Sequence, residues 1–234
     1  KCFGFMVFVS LWFYLLSVKI KEKAIYLICA AVFLSVVILS RSMGALGAVV
    51  LTLPFLWFVW MKDKIDMMVW LRFLAALIFL TFFAWYLGLV DIRLEGGWSK
   101  RDVIWLAVLD SFMESPLLGS GVLDDERVVA IDGGVYHHEH NIFLAILRQS
   151  GLFGGVPFLL LVLALIGKAF SCNSLKSRAW LVLFFYGMIA GMSGGKYPIG
   201  RPSESWLIVW VCIAFLWANV SLHRGNKNTE RAKG

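Results

Sequence analysis

Seven long runs of apolar residues divide the chain, at 2–18, 24–39, 43–61, 67–90, 152–167, 179–192 and 205–222, and charged or polar stretches separate them. Within each run the apolar positions are continuous rather than alternating. That pattern predicts helices that cross a bilayer, which takes about 20 apolar residues each. A membrane barrel would need alternation, so a barrel is excluded. The fold class expected is therefore all-α: a polytopic membrane helical bundle of about seven transmembrane helices, with one large extracytoplasmic loop carrying short helices. The whole chain, 1–234, reads as a single transmembrane domain, with 91–150 as the loop region inside it.

Finer punctuation adds to this outline. Gly44 and Gly47 open the third run, where small residues let helices approach closely. In the loop region 101–113 reads as a helix, ended by Ser115-Pro116-Leu117-Leu118-Gly119-Ser120-Gly121, and Asp124 to Arg127 form a solvated charge cluster. The apolar stretch 142–167 is longer than one span needs. Gly151, Gly154, Gly155 and Pro157 divide it, which predicts a short rim helix followed by a span from about Leu152. Asn141 stands where a helix N-cap is expected.

Composition agrees with the pattern. Hydrophobic residues make up 60% of the chain and charged residues 16%, against about 25% charged in soluble domains. The 11 Trp and 19 Phe suit lipid-facing helices with aromatic belts. The net charge of +7 does not imply nucleic acid, because its distribution follows the loops. Stretches 19–23, 62–66, 168–178 and 223–234 hold twelve Lys/Arg and four Asp/Glu, whereas 91–150 holds five and ten. The positive-inside rule then places the first set and the C-terminus in the cytoplasm. Region 91–150, Arg41, Lys196 and Arg201 face the outside, where no ATP is available, so a reaction there needs a pre-activated substrate. Cys2, Cys29, Cys172 and Cys212 lack metal-ligand spacing and read as unpaired. The chain opens at Lys1 inside an apolar run, as expected of a fragment of a longer protein.

The candidate chemistry lies on the outer face. His140 sits at the rim of the membrane, at the start of a helix whose dipole favours a neutral ring, as a general base requires. The alternative is a capping segment whose histidine only bonds the backbone. Arg41, at the outer end of the second run, is either a guanidinium placed for a phosphate or a side chain snorkelling to the headgroups. Arg101 begins the outer helix, with Trp105 one turn later. Arg72 reads as snorkelling, because the polar boundary nearest to it is cytoplasmic. His137-His138-Glu139-His140 is a weak metal motif, since adjacent side chains diverge, so no metal site is expected. His223 reads as a solvated residue.

Three segments together resemble the O-antigen ligase and polymerase superfamily of bacterial membrane glycosyltransferases. They are Ser40-Arg41 before Gly44-Ala45-Leu46; Arg101-Asp102-Val103-Ile104-Trp105 before Glu114-Ser115-Pro116-Leu117-Leu118-Gly119-Ser120-Gly121; and His140-Asn141, nine residues, Gly151, two residues, Gly154. The resemblance covers about 24–222. Members have about a dozen spans, so N-terminal spans would be the missing part. The resemblance implies a donor glycan on undecaprenyl diphosphate and an acceptor sugar hydroxyl, on lipid A–core for a ligase or on another glycan for a polymerase. It further implies His140 as catalytic base and Arg41 and Arg101 as the diphosphate grip. Glu139, Asn141, Lys196 and Arg201 would be accessory, with no cofactor and no metal. The setting would be the bacterial inner membrane, with the site periplasmic and membrane lipids around it. A polymerase of the same superfamily is the alternative. A transporter or a non-catalytic scaffold belongs to other classes: the first predicts ionisable residues deep in spans, the second a docking role for the loop.

Overall fold

A backbone in lipid must satisfy its own hydrogen bonds, and this chain does so with helices. The computed structural model describes residues 1–61, 101–121, 128–129, 133–136, 139–171, 174–194, 208–219 and 221. They form α1 (Cys2–Leu16), α2 (Ile20–Leu39), α3 (Met43–Met61), α4 (Arg101–Glu114), α5 (Ile142–Ser171), α6 (Leu175–Met192) and α7 (Ile208–Asn219). Among the described residues, the one addition to the expected all-α fold is a small antiparallel ribbon, β1 (Val128–Val129) with β2 (Val135–Tyr136). The chain is an all-α membrane bundle. Ile20–Leu39, Gly44–Met61 and Ile142–Ser171 are long and apolar enough to cross a bilayer, and Cys2–Leu16 and Ile208–Asn219 are shorter apolar helices. The run 67–90 with Arg72, the cluster 124–127, Cys172 and His223 lie outside the described residues. Cys2, Cys29 and Cys212 are free thiols.

The main core joins α1, α3, α5, α6 and α7, through Phe8, Val49, Val59, Ile146, Leu165, Phe184 and Leu216. Lipid supplies no hydrophobic force between helices, so close packing must hold them. Glycine permits it at several contacts, two of which set α3 and α7 against α6. A Cβ on Gly44 would meet Ser193 Oγ at 2.5 Å, so the start of α3 lies against the end of α6. A Cβ on Gly187 would meet Ile208 Cγ2 at 2.9 Å, where α7 passes. Gly47 has nothing within 4 Å, so of the two glycines at the start of α3 only Gly44 makes a close approach. Among the described residues, α2 packs chiefly on α1 and buries only Ala30 and Val37.

A second, smaller core lies beside the first. Ile104, Ala107 and Val108 form one face of α4 at helical spacing and bury against Val128, with Tyr136 and Leu144 alongside. This contact seats α4 on the first turns of α5.

The expected division of α5 is present. Gly151 has φ 57° and ψ −157°, which separates a rim helix from the span. The break frees backbone groups, and the loop after α4 takes them up. Ser120 and Gly121 N–H donate to the Arg148 and Gln149 carbonyls at 2.8 and 3.1 Å. Leu152 and Phe153 N–H donate to the Pro116 and Leu117 carbonyls at 2.9 and 3.1 Å. A side chain at Gly151 would meet the Leu117 carbonyl at 2.4 Å, and one at Gly119 would meet the Arg148 carbonyl oxygen at 2.6 Å. The two glycines therefore let two backbones touch. That contact is the physical content of the loop sequence and of the first glycine in the Gly-x-x-Gly after His140.

Candidate active site

Five chain segments meet at one end of the bundle. They are the start of α1, the α2–α3 turn, the start of α4, the residues before α5 and the end of α6. Between them lies a cleft of about 430 Å³ lined by Lys1, Arg41, Ser42, Gly44, Ala45, Arg101, His140, Ser193 and Gly194. It falls within the usual size of a ligand pocket, about 300–1,000 Å³. No acidic side chain is among these lining residues, so the cleft presents three cations and an imidazole to any ligand.

Arg41 sits just past the end of α2, with its N–H donating to the Ile38 carbonyl at 3.0 Å. Its φ is 50°, in the left-handed region that glycine usually fills after a helix. Three residues, 40–42, join α2 to α3, and the approach of Gly44 to Ser193 brings this turn over the cleft. Arg101 opens α4, half-buried, and its Nε is buried without a hydrogen-bond partner among the described residues. A buried donor left unpaired is costly, and the residue that carries this one lines the cleft.

His140 is half-buried, has φ 55°, and lines the cleft. Its neighbours are anchored on both sides. Asn141, the expected N-cap, is buried, and its Oδ1 accepts from the N–H of Phe143 at 3.0 Å and of Leu144 at 3.4 Å. Glu139 faces inward at 1% exposure. Arg148 Nε donates to its Oε1 at 2.8 Å, Gln149 Nε2 donates to the same oxygen at 3.5 Å, and Trp105 Nε1 donates to the Glu139 carbonyl at 3.2 Å.

The structure thus brings together Arg41, Arg101 and His140, and sets Glu139 and Asn141 behind the last of these. Lys196, Arg201, His137 and His138 lie outside the described residues. Sequence reasoning missed three participants. Arg148 is a charge inside an apolar stretch, which by itself asks for a partner. Lys1 Nζ donates to the Gly194 carbonyl and faces the cleft, and Ser193 closes the wall opposite Gly44. Lys1 and Ser193 carry no motif that would mark them.

Comparison with known proteins gives two findings. A family model described as O-antigen ligase matches residues 25–159. An O-antigen ligase of Pseudomonas aeruginosa is 33% identical over 141 residues, which are 57% of this chain and 33% of that protein. The chain therefore spans about a third of that relative's length. Residues 25–159 include Arg41, Arg101, Glu139, His140 and Asn141, whereas Lys1 and Ser193 lie beyond them.

Proposed function

Because the chain belongs to the O-antigen ligase family, we propose that its cleft is the transfer site of a glycosyltransferase using a glycan on undecaprenyl diphosphate. The acceptor is a sugar hydroxyl, on lipid A–core, at the outer face of the bacterial inner membrane. The site faces the periplasm and the C-terminus the cytoplasm, as the loop charges indicate. The observation that carries this assignment is the convergence of Arg41, Arg101 and His140 on one cleft from three separate segments.

The chemistry follows from those groups. The acceptor oxygen attacks the sugar C1 as the C1–oxygen bond to the diphosphate breaks, and direct attack inverts the anomeric centre. Negative charge grows on the departing diphosphate. Guanidinium groups meet phosphate oxygens with paired donors, and fixed charges aimed at developing charge lower the barrier. Arg41 and Arg101, which both line the cleft, are suited to that task. His140 takes the proton from the acceptor hydroxyl, which contributes about 10²–10⁴-fold. Positive charge at the leaving group comes from the arginines, so transfer is metal-independent and a chelator leaves the rate unchanged.

The test is transfer from a purified lipid-linked glycan by the intact full-length protein. Lysine cannot reproduce the planar guanidinium fork. Arg41→Lys and Arg101→Lys are expected each to lose most of the activity while the protein accumulates normally. Wild-type rates in both would reduce these residues to interfacial anchors and remove the diphosphate grip.

A further inference from the structure

We propose that Glu139 is a positioning residue that holds His140 in the cleft, and that it is not a second base. This inference rests on the assignment of His140 as the proton acceptor. A non-glycine residue in the left-handed region persists only where its surroundings over-determine it. His140, at φ 55°, is such a residue, and the supports on both sides are identifiable.

On the N-terminal side both functional ends of Glu139 are held. The carboxylate is tied to Arg148 and Gln149 of the rim helix, and the carbonyl accepts from Trp105 of α4. On the C-terminal side Asn141 caps α5, and Ile142, fully buried, seats against Gly191 of α6 at 3.2 Å from a Cβ there. Between two buried residues, His140 alone is half-buried and lines the cleft.

The same contacts argue against direct chemistry by Glu139. Its Oε1 is engaged by two donors and the residue is 1% exposed, so an acceptor hydroxyl has no path to it. The Trp105 bond has a second consequence. Arg101 and Trp105 are four residues apart and share one face of α4. The bond from Trp105 to Glu139 therefore couples the helix that carries Arg101 to the segment that carries His140. Base and leaving-group grip are set relative to each other by one hydrogen bond and one ion pair.

The experiment is steady-state transfer by the intact protein, with rates expressed per folded molecule from the monodisperse fraction in detergent. Glu139→Ala should lower kcat by about 10²-fold, the scale expected when a reacting group is misplaced by about 1 Å. The donor KM should stay unchanged, because Arg41 and Arg101 remain. Glu139→Gln keeps an acceptor oxygen for Arg148 and should retain most of the rate. Trp105→Phe keeps an aromatic ring in the small core, loses the indole N–H together with part of the ring volume, and should lower kcat in the same direction by less. It decides the matter if Glu139→Ala fails to accumulate. Equal loss in Glu139→Gln and Glu139→Ala would make the carboxylate a reacting group and overturn the proposal. Unchanged kcat per folded molecule in Glu139→Ala and Trp105→Phe would overturn it too, leaving a purely structural pair. His140→Asn in the same assay separates the two levels. A wild-type rate there removes the general base itself, whereas an inactive His140→Asn beside unaltered Glu139→Ala and Trp105→Phe removes only the positioning role.

Discussion

Arg41 and His140 are the non-glycine residues with positive φ among those described, and both line the cleft. Each conformation costs roughly 1–2 kcal/mol for an L-residue. A helix end such as that of α2 would ordinarily take glycine at the Arg41 position, so the arginine stands there against local preference. Arg41→Gly should therefore abolish transfer while leaving the thermal midpoint equal or higher, since strain of about 1 kcal/mol or more is removed and offset by glycine's extra backbone entropy. A clear fall in the midpoint would mean that the Arg41 side chain holds the turn together. Arg41, Arg101 and His140 were legible as candidates from residue type and motif order. Their backbone strain was not, because φ at a single non-glycine residue leaves no mark in the sequence. Glu139 illustrates the same limit. Beside three histidines it reads as part of a weak metal motif or as an accessory group, and only its distance to Arg148, nine residues on, reveals that its carboxylate is occupied.

At the scale of elements the break in α5 is the feature that builds the site. Gly151, Gly154 and Pro157 announced a rim helix and a span, and the division falls at Gly151 as expected. The partner of the break was hidden. The loop 115–121 caps it from some thirty residues away, and a hydrogen bond between distant backbones has no periodicity to read. The glycines there have unequal roles, which makes a prediction. Gly151→Ala adds a Cβ at 2.4 Å from the Leu117 carbonyl in a conformation essentially restricted to glycine. It should cost more than about 2 kcal/mol, from strain of about 1–3 kcal/mol plus the clash. Gly167→Ala, with open space within 4 Å and helical backbone, should instead stabilise by up to about 1 kcal/mol. Thermal unfolding of the full protein in detergent compares them, and equal midpoints would contradict the interlock of loop and break.

At the scale of the molecule, the fold class was the most legible property, because continuous apolar runs leave lipid-embedded helices as the one solution. Helix ends were less so: α2 begins at Ile20 and α6 at Leu175, each four residues before its apolar run, since charged first turns still continue a helix. Alternating spans had predicted that Arg41, Arg101 and His140 share a face, and the structure gathers them in one cleft. Whether that cleft moves glycans is decided most directly at His140. Asparagine tolerates the left-handed backbone and keeps a polar side chain, so His140→Asn changes the base with little disturbance to the turn. In a defined assay with lipid-linked glycan donor and sugar acceptor, His140→Asn and His140→Ala should both lose about 10²–10⁴-fold in rate, with accumulation and thermal midpoint of the asparagine variant preserved. Transfer by a well-folded His140→Asn protein at the wild-type rate would contradict the assignment of this cleft as the site of transfer.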